Sequence, residues 1–201
     1  YAFRKGNYKK GLDYINRTLI IAEGLDNKIH QGFCLMLIGD LLQKSGESEQ
    51  SLVYFNRSME IFKKVESERN ISLNLISIGI NYFNKGDYTK SEEYFMETFD
   101  SQKKIEFRPA HLYTLTYLLL SKKNLRKEYD NKNIYILIEE AKFIDEQLNY
   151  RLYQLLEDKS YLETAYTQIQ EKANNLEPDV KAKFLSYPIP KAIVEEWEKV
   201  K

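Results

Sequence analysis

The sequence predicts an all-α fold, a superhelix of antiparallel helical hairpins, and three observations carry this prediction. Gly6, Gly46 and Gly86 lie forty residues apart. The residue classes around these glycines repeat with the same spacing. Between the glycines, apolar residues recur at three- and four-residue steps, which is the helical period. A fixed period of this size is typical of an α-solenoid of stacked repeats rather than of a closed globule.

The repeat is clearest in three aligned segments. They read YAFRKGNYKKGLDYINRTL from Tyr1, LLQKSGESEQSLVYFNRSM from Leu41 and NYFNKGDYTKSEEYFMETF from Asn81. Several residue classes agree in phase across the three copies, which argues against coincidence. The aligned columns are Tyr14, Tyr54 and Tyr94, then Ile15, Phe55 and Phe95, and the small residues Gly11, Ser51 and Ser91.

Each unit is predicted to be two helices joined by a tight turn. In the second unit, Leu35, Ile38 and Leu42 mark the first helix. A glycine follows at the turn, where it can adopt the positive φ that ends a helix. Apolar residues then resume the helical period in a second helix. The units therefore form antiparallel hairpins.

Small residues are predicted to set the distance between the two helices of a hairpin. Gly39 in the first helix is predicted to face Ser51 in the second. Small side chains at both positions let the two helix backbones approach closely. Phe55, one turn further on, fills the space beside that contact. The equivalent residues of the third unit are Gly79, Ser91 and Phe95.

This combination resembles the tetratricopeptide repeat over residues 1–105. The shared features are the small first-helix residue, an aromatic or leucine one turn later (Leu42, Tyr82), the turn glycine, the small residue of the second helix and the aromatic after it. The tryptophan of that family is replaced by Leu35 and Leu75, the inter-repeat proline is absent, and the family period is 34 residues. The resemblance implies a right-handed superhelix that binds proteins.

The repeats are predicted to continue, less regularly, after the third unit. A fourth unit opens near Arg108-Pro109, has SKKNLRKEYDNKN in place of the glycine turn, and places its second helix over Ile134–Gln147. A fifth pair spans Tyr150–Glu157 and Tyr161–Leu176. The predicted units are residues 1–25, 26–65, 66–106, 107–148 and 149–176, followed by capping helices over 177–201.

The C-terminal end is similar to the closing segment of tetratricopeptide superhelices in large microbial signalling ATPases, cyclases and kinases. This second resemblance implies a regulatory or sensory superhelix at the end of a longer chain, with any catalytic domain upstream of Tyr1. Pro188 and Pro190 form a rigid turn before the last helix. The matching residues are Tyr161-Leu162, Ala165-Tyr166, Ala173, Phe184-Leu185, Pro188 and Trp197.

Composition narrows the expected partners. Acidic and basic residues balance at 30 each, which argues against a nucleic-acid or anionic-membrane binder. No hydrophobic run approaches the length that crosses a bilayer. Cys34 is the single cysteine, so no internal disulfide forms. We expect a cytoplasmic protein whose partner is a protein or peptide, with a homodimer as a further possibility.

No residue pattern points to an enzyme. The two histidines, His30 and His111, lie in different units, and the sequence lacks a nucleophile elbow, a phosphate-binding loop and paired metal ligands. Neighbouring carboxylates such as Glu139 and Glu140 point about 100° apart on a helix, so they cannot share one substrate atom. We therefore expect no catalysis, no cofactor and no metal.

The tetratricopeptide resemblance implies a binding surface on the concave side, which the first helices of the hairpins line. This surface is unusually apolar, and Met36, Asp40 and Ile76 stand where chaperone-tail binders carry a lysine and asparagine clamp. That ligand class is disfavoured. The implied positions are Phe33, Met36, Leu37, Asp40, Gln43 and Lys44, then Leu73, Ile76, Ser77, Ile80, Phe83 and Asn84, and finally Tyr113, Thr116, Tyr117 and Leu120.

Three alternatives remain for what covers this apolar surface. Tight curling buries it as core, the C-terminal helix fills it with the stripe of Ile193, Val194 and Trp197, or a partner helix or peptide occupies it. A separate resemblance is to the long-repeat peptide-pheromone sensors of Gram-positive bacteria, which grip a peptide backbone with asparagines. The candidates for that role are Asn74, Asn81 and Asn84.

Overall fold

The computed structural model describes residues 8–104 and 111–201, with side chains up to residue 102 and from residue 111. Gly6 and the predicted helix opening at Arg108-Pro109 lie outside these residues. All described secondary structure is helical, as predicted, and it forms a stack of antiparallel hairpins. The helices are α1 (Tyr8–Gly24), α2 (Lys28–Ser45), α3 (Ser48–Lys64), α4 (Glu68–Asn84), α5 (Tyr88–Lys104), α6 (His111–Asn124), α7 (Lys132–Glu140), α8 (Glu146–Leu156), α9 (Lys159–Asn174), α10 (Pro178–Leu185) and α11 (Pro188–Val200).

The backbone repeats every twenty residues, half of the period in the sequence. Helices α1 to α5 begin at residues 8, 28, 48, 68 and 88. Residues with left-handed backbone follow four of these helices at the same spacing. The fourth unit has the same left-handed turn after α6, although an arginine stands where the second and third units have glycine. A left-handed residue stops the helix and reverses the chain. These residues are Asp26, Gly46, Glu66 and Gly86, with Arg126 another forty residues on.

Glycine and phenylalanine pack directly against each other inside the hairpins. A Cβ atom built on Gly39 would lie 2.5 Å from the Phe55 ring, and one on Gly79 would lie 2.9 Å from the Phe95 ring. Both rings are fully buried. The glycines therefore accommodate the rings themselves, whereas the sequence predicted that they accommodate the serines. Gly32 has the same relation to Phe62, and this third pair was not predicted.

Buried polar side chains join successive hairpins. The Asn81 side-chain amide donates to the Ser51 hydroxyl and to the Ser48 carbonyl, and Asn74 donates to the Phe55 carbonyl at 2.8 Å. Forty residues after Asn81, Ser121 donates to Ser91 at 3.0 Å. Asn74 and Asn81 are fully buried between α3 and α4, so these two candidates for gripping a peptide are structural instead.

The predicted helix over residues 134–147 is wrong, because α7 ends at Glu140. Ala141 takes an extended conformation, and Asp145 caps a new helix by accepting a hydrogen bond from the Leu148 amide at 2.9 Å. Helix α8 packs along α6 and contributes three buried leucines to the same core. It therefore packs on α6 as the first helix of the next hairpin, which it forms with α9. The three residues are Leu148, Leu152 and Leu155.

The C-terminal helices pack on α9 and also reach the first hairpins. Trp197 stacks on Tyr166 of α9 at 5.3 Å between ring centroids, and Ile193 is fully buried in the same cluster. This places the apolar stripe of α11 against α9 instead of in the concave surface. Tyr187, just before α11, stacks on Tyr8 of α1 at 4.7 Å. Helix α11 itself contacts α2.

Candidate ligand-binding cleft

Two adjoining cavities form a cleft on the side lined by the first helices α2, α4 and α6. The central cavity has a volume of about 350 Å³, and the cap-side cavity, bounded by α11, has a volume of about 420 Å³. They share Gln43, Lys44 and Gln147 in their walls, so they lie side by side. We call the two cavities together the cleft. Both volumes lie in the range of roughly 300–1,000 Å³ that is usual for ligand sites.

Most of the residues proposed for the concave surface line this cleft. Of the fourteen residues other than Thr116 and Leu120, nine line the central cavity, and Phe83 and Asn84 line the cap-side cavity. The nine are Met36, Asp40, Gln43, Lys44, Leu73, Ile76, Ser77, Ile80 and Tyr113.

The other predicted positions line neither cavity. Phe33 packs edge-on against Phe62, and Leu37 is exposed to solvent. Tyr117 is fully buried beneath the cleft, and its ring lies between those of Phe95 and Phe83. Thr116 and Leu120 are also buried in the protein.

Helix α8 supplies the cleft residues that sequence reasoning missed. Gln147, Tyr150 and Arg151 line the cap-side cavity, opposite α2 and α4. Gln147 was overlooked because it was assigned to the second helix of the fourth unit, which faces away from the concave side. Tyr150 and Arg151 fell in the first helix of the fifth pair, for which no concave positions were predicted. The N-cap Asp145, followed by leucines at helical spacing, was the available signal.

The cleft combines an apolar floor with three side-chain amides, each of which has one hydrogen-bonded and one unbonded polar atom in the described part of the chain. Gln43 donates to the Ser77 carbonyl at 3.1 Å, Gln147 donates to the Tyr117 hydroxyl at 2.7 Å, and Asn84 accepts from Arg151 at 2.6 Å. Within the described residues, the Oε1 atoms of both glutamines and the Nδ2 of Asn84 have no hydrogen-bond partner. Such groups can accept from and donate to the backbone of a bound peptide.

Asp40 is the acidic group of the central cavity. It accepts a hydrogen bond from the Ser77 hydroxyl at 2.9 Å. Burial raises the pKa of this carboxyl to about 6, although the nearby Lys44 and the Ser77 bond act in the opposite direction. The charge of the cleft therefore changes between mildly acidic and neutral pH.

Arg151 is the buried cation of the cap-side cavity. Its guanidinium donates to Asn84 at 2.6 Å, to Gln154 at 2.7 Å and to the Tyr117 hydroxyl at 3.4 Å. It also lies 4.9 Å from the centre of the Phe83 ring, which is cation–π distance. Only 7% of the residue is exposed. All of these partners are neutral.

Other kinds of site find no support in the part of the chain that the structure describes. Over residues 8–104 and 111–201, no group of three or more histidine, cysteine, aspartate or glutamate side chains is arranged to hold a metal ion. None of the helices within these ranges has the length and hydropathy needed to cross a membrane. Two other cavities, of about 520 Å³ beside α7 and about 600 Å³ between α1 and α10, are larger than either part of the cleft. We base the functional assignment on the cleft because most of the predicted concave positions line it.

Comparison with known proteins bears on the fold. The sequence matches no protein-family profile and no curated protein. Its structure is similar to the crystal structure of the apo form of RapI, with a TM-score of 0.64 and 16% sequence identity. The match covers 99% of this chain and 62% of the RapI chain. This similarity shows that the chain has the all-α, helical-repeat fold that RapI also has.

Proposed function

We propose that this chain is a protein-interaction module that binds an extended peptide in the cleft, as a regulatory or sensory part of a larger protein. It acts by binding and carries out no reaction of its own. The observation that supports this proposal best is the cleft itself. Eleven residues expected on a binding surface line it, although Met36, Ile76, Ile80 and Phe83 among them are also buried in the hydrophobic core. The apolar stripe of the C-terminal helix packs on α9 instead of filling the cleft.

An extended peptide suits the cleft better than a partner helix does. A helix satisfies its backbone hydrogen bonds internally, so it would leave the open ends of Gln43, Asn84 and Gln147 without partners. An extended chain exposes backbone N–H and C=O groups that these amides can bind. The apolar floor at Leu73 and Ile80 can receive side chains of the same peptide. Both a short signalling peptide and a segment of a partner protein meet these requirements.

A blocking substitution at the junction of the two cavities tests this proposal. The probe is a random pentapeptide pool passed over immobilised protein, with retained peptides identified by mass spectrometry. We expect Gln43→Trp to lower retention at least tenfold, because an indole at the shared wall obstructs both cavities. Gln50→Trp is the matched control, since Gln50 is exposed on α3. Equal retention by the two variants, or none by the wild type, contradicts the proposal.

A further inference from the structure

Arg151 carries a charge that the described part of the protein does not neutralise. A buried ion is costly unless an opposite charge or a full set of hydrogen bonds compensates it. Within the described residues, no carboxylate forms an ion pair with Arg151. By contrast, the less buried lysines nearby are paired, Lys85 with Glu49 and Lys123 with Glu157. Arg151 therefore differs from its neighbours in lacking an acid.

The hydrogen bonds of Arg151 leave two of its donors available. A guanidinium has five N–H groups. One bond comes from Nε, one from Nη1 and one from Nη2. One N–H thus remains on each terminal nitrogen. Two N–H groups of one guanidinium are what a carboxylate requires, since arginine binds its two oxygens through two parallel bonds.

The surroundings of Arg151 favour an anion. Its side chain lies between the cap-side cavity and a smaller cavity of about 200 Å³. Among the described residues, the walls of these two cavities contain no aspartate or glutamate, and of their basic residues Lys123 is paired with Glu157 and Lys44 interacts with Asp40. The rings of Phe83 and Tyr150 lie beside the guanidinium, at 4.9 Å and 5.5 Å from their centroids, so it is partly shielded from solvent. A low local dielectric strengthens the attraction for an incoming negative charge.

We propose that Arg151 recognises a carboxylate of the bound peptide in the cap-side cavity. This inference rests on the proposed peptide binding and adds the chemistry of one end of the site. The carboxylate accepts hydrogen bonds from the two remaining N–H groups and neutralises the buried charge. It comes either from the C-terminus of the peptide or from an aspartate or glutamate side chain.

Two peptide pools test the inference and separate these sources. One random pentapeptide pool carries free C-terminal carboxylates, and the second carries C-terminal amides. The two are mixed in equal amounts, passed over immobilised protein and resolved by mass. We expect the wild type to retain free acids at least tenfold over amides if the terminal carboxylate binds. If a side-chain carboxylate binds, the retained amides are enriched at least tenfold in aspartate and glutamate.

Variants attribute the selectivity to Arg151. Arg151→Gln keeps hydrogen-bonding capacity without charge, and it should abolish either preference while peptides are still retained through the rest of the cleft. Arg151→Lys should keep part of the preference, since it keeps the charge but not the paired donors. Arg57→Gln, at an exposed position of α3, removes the same charge elsewhere and should change nothing. Helical circular dichroism establishes that each variant is folded.

The outcomes distinguish this inference from the proposed function. Retention without a preference for carboxylate, or a preference that survives in Arg151→Gln, overturns the role of Arg151 and leaves peptide binding intact. If the wild type retains neither pool, both proposals fall together. Loss of preference in Arg151→Gln and also in Arg57→Gln indicates a general charge effect and overturns the specific assignment.

Discussion

Adding one methyl group to Gly39 should destabilise the hairpin that α2 and α3 form. The new Cβ would lie 2.5 Å from Cε1 and 2.6 Å from Cδ1 of Phe55. Such distances are far below van der Waals contact, so the ring or the helix must move. The Phe55 ring is fully buried and packs in one cluster with Met36, Leu75 and Ile78. It has no solvent-filled space into which it can turn.

Two opposing terms set the magnitude for Gly39→Ala. Overpacking a tight core costs about 1–3 kcal/mol. Replacing a mid-helix glycine by alanine favours the helix by about 1 kcal/mol. Because two ring atoms clash at once, we expect the first term to be larger, with a net loss of about 1–2 kcal/mol in the free energy of unfolding. Gly24→Ala is the control, since no atom lies within 4 Å of its added Cβ.

Urea unfolding followed by helical circular dichroism measures both variants. A double-mutant cycle with Phe55→Leu then attributes the effect to the ring, because the smaller side chain leaves room for the methyl group. We expect the double variant to lose at least about 0.5 kcal/mol less than the sum of the single losses. If Gly39→Ala stabilises the protein as Gly24→Ala does, or if the two losses simply add, the reasoning about glycine and phenylalanine is refuted.

Three further predictions concern the turns, the cleft and α8. Arg126→Gly should stabilise the protein by about 1 kcal/mol, since glycine adopts the left-handed conformation without strain, and no change in urea unfolding would contradict this. The carboxyl of Asp40 has a pKa of about 6 in the folded protein against 3.8 as reference, so the folded state binds the proton more tightly. The free energy of unfolding of the wild type, minus that of Asp40→Asn, should therefore be greatest below pH 4. This difference should fall by at most about 3 kcal/mol as the pH rises through 6. A flat difference between thermal unfolding curves from pH 4 to 8 would refute this. Leu148→Ala on α8 should lower the free energy of unfolding by about 2–5 kcal/mol, because Leu148 is buried. Ile136→Ala, on the exposed face of α7, should lower it by less than about 0.5 kcal/mol. The reverse order would show that α7 is the partner of α6.

The regular units were predictable because each carries its own signals. Gly46 and Gly86 marked the turns, and the columns at Gly39 and Phe55 fixed which helix faces meet. The fourth unit lacks the turn glycine, and Arg126 adopts the same left-handed backbone conformation. A residue type that tolerates a conformation poorly gives no sequence signal for it. The sequence therefore appeared degraded where the fold is regular.

The cleft was only half predictable for a different reason. Its α2 and α4 side follows from the repeat register, which placed residues such as Ile76 and Ser77 together. Its α8 side depends on where the chain breaks between Glu140 and Asp145, and no glycine or proline marks that break. Periodicity cannot locate an interruption between two amphipathic helices of similar pattern. Arg151 was missed because a lone arginine on a predicted helix is indistinguishable from a solvated one until its burial is known.

The most direct test of the peptide-binding proposal is the location of a bound peptide on the protein. A pentapeptide retained by the wild type is synthesised with a photoreactive benzophenone, irradiated in complex with the protein, and the labelled residues are found by mass spectrometry. Labelling of the cleft walls on α2, α4 and α8, suppressed in Gln43→Trp, is the predicted result. Labelling confined to the outer helices α3 and α5, or labelling that Gln43→Trp leaves unchanged, would contradict a binding site in the cleft.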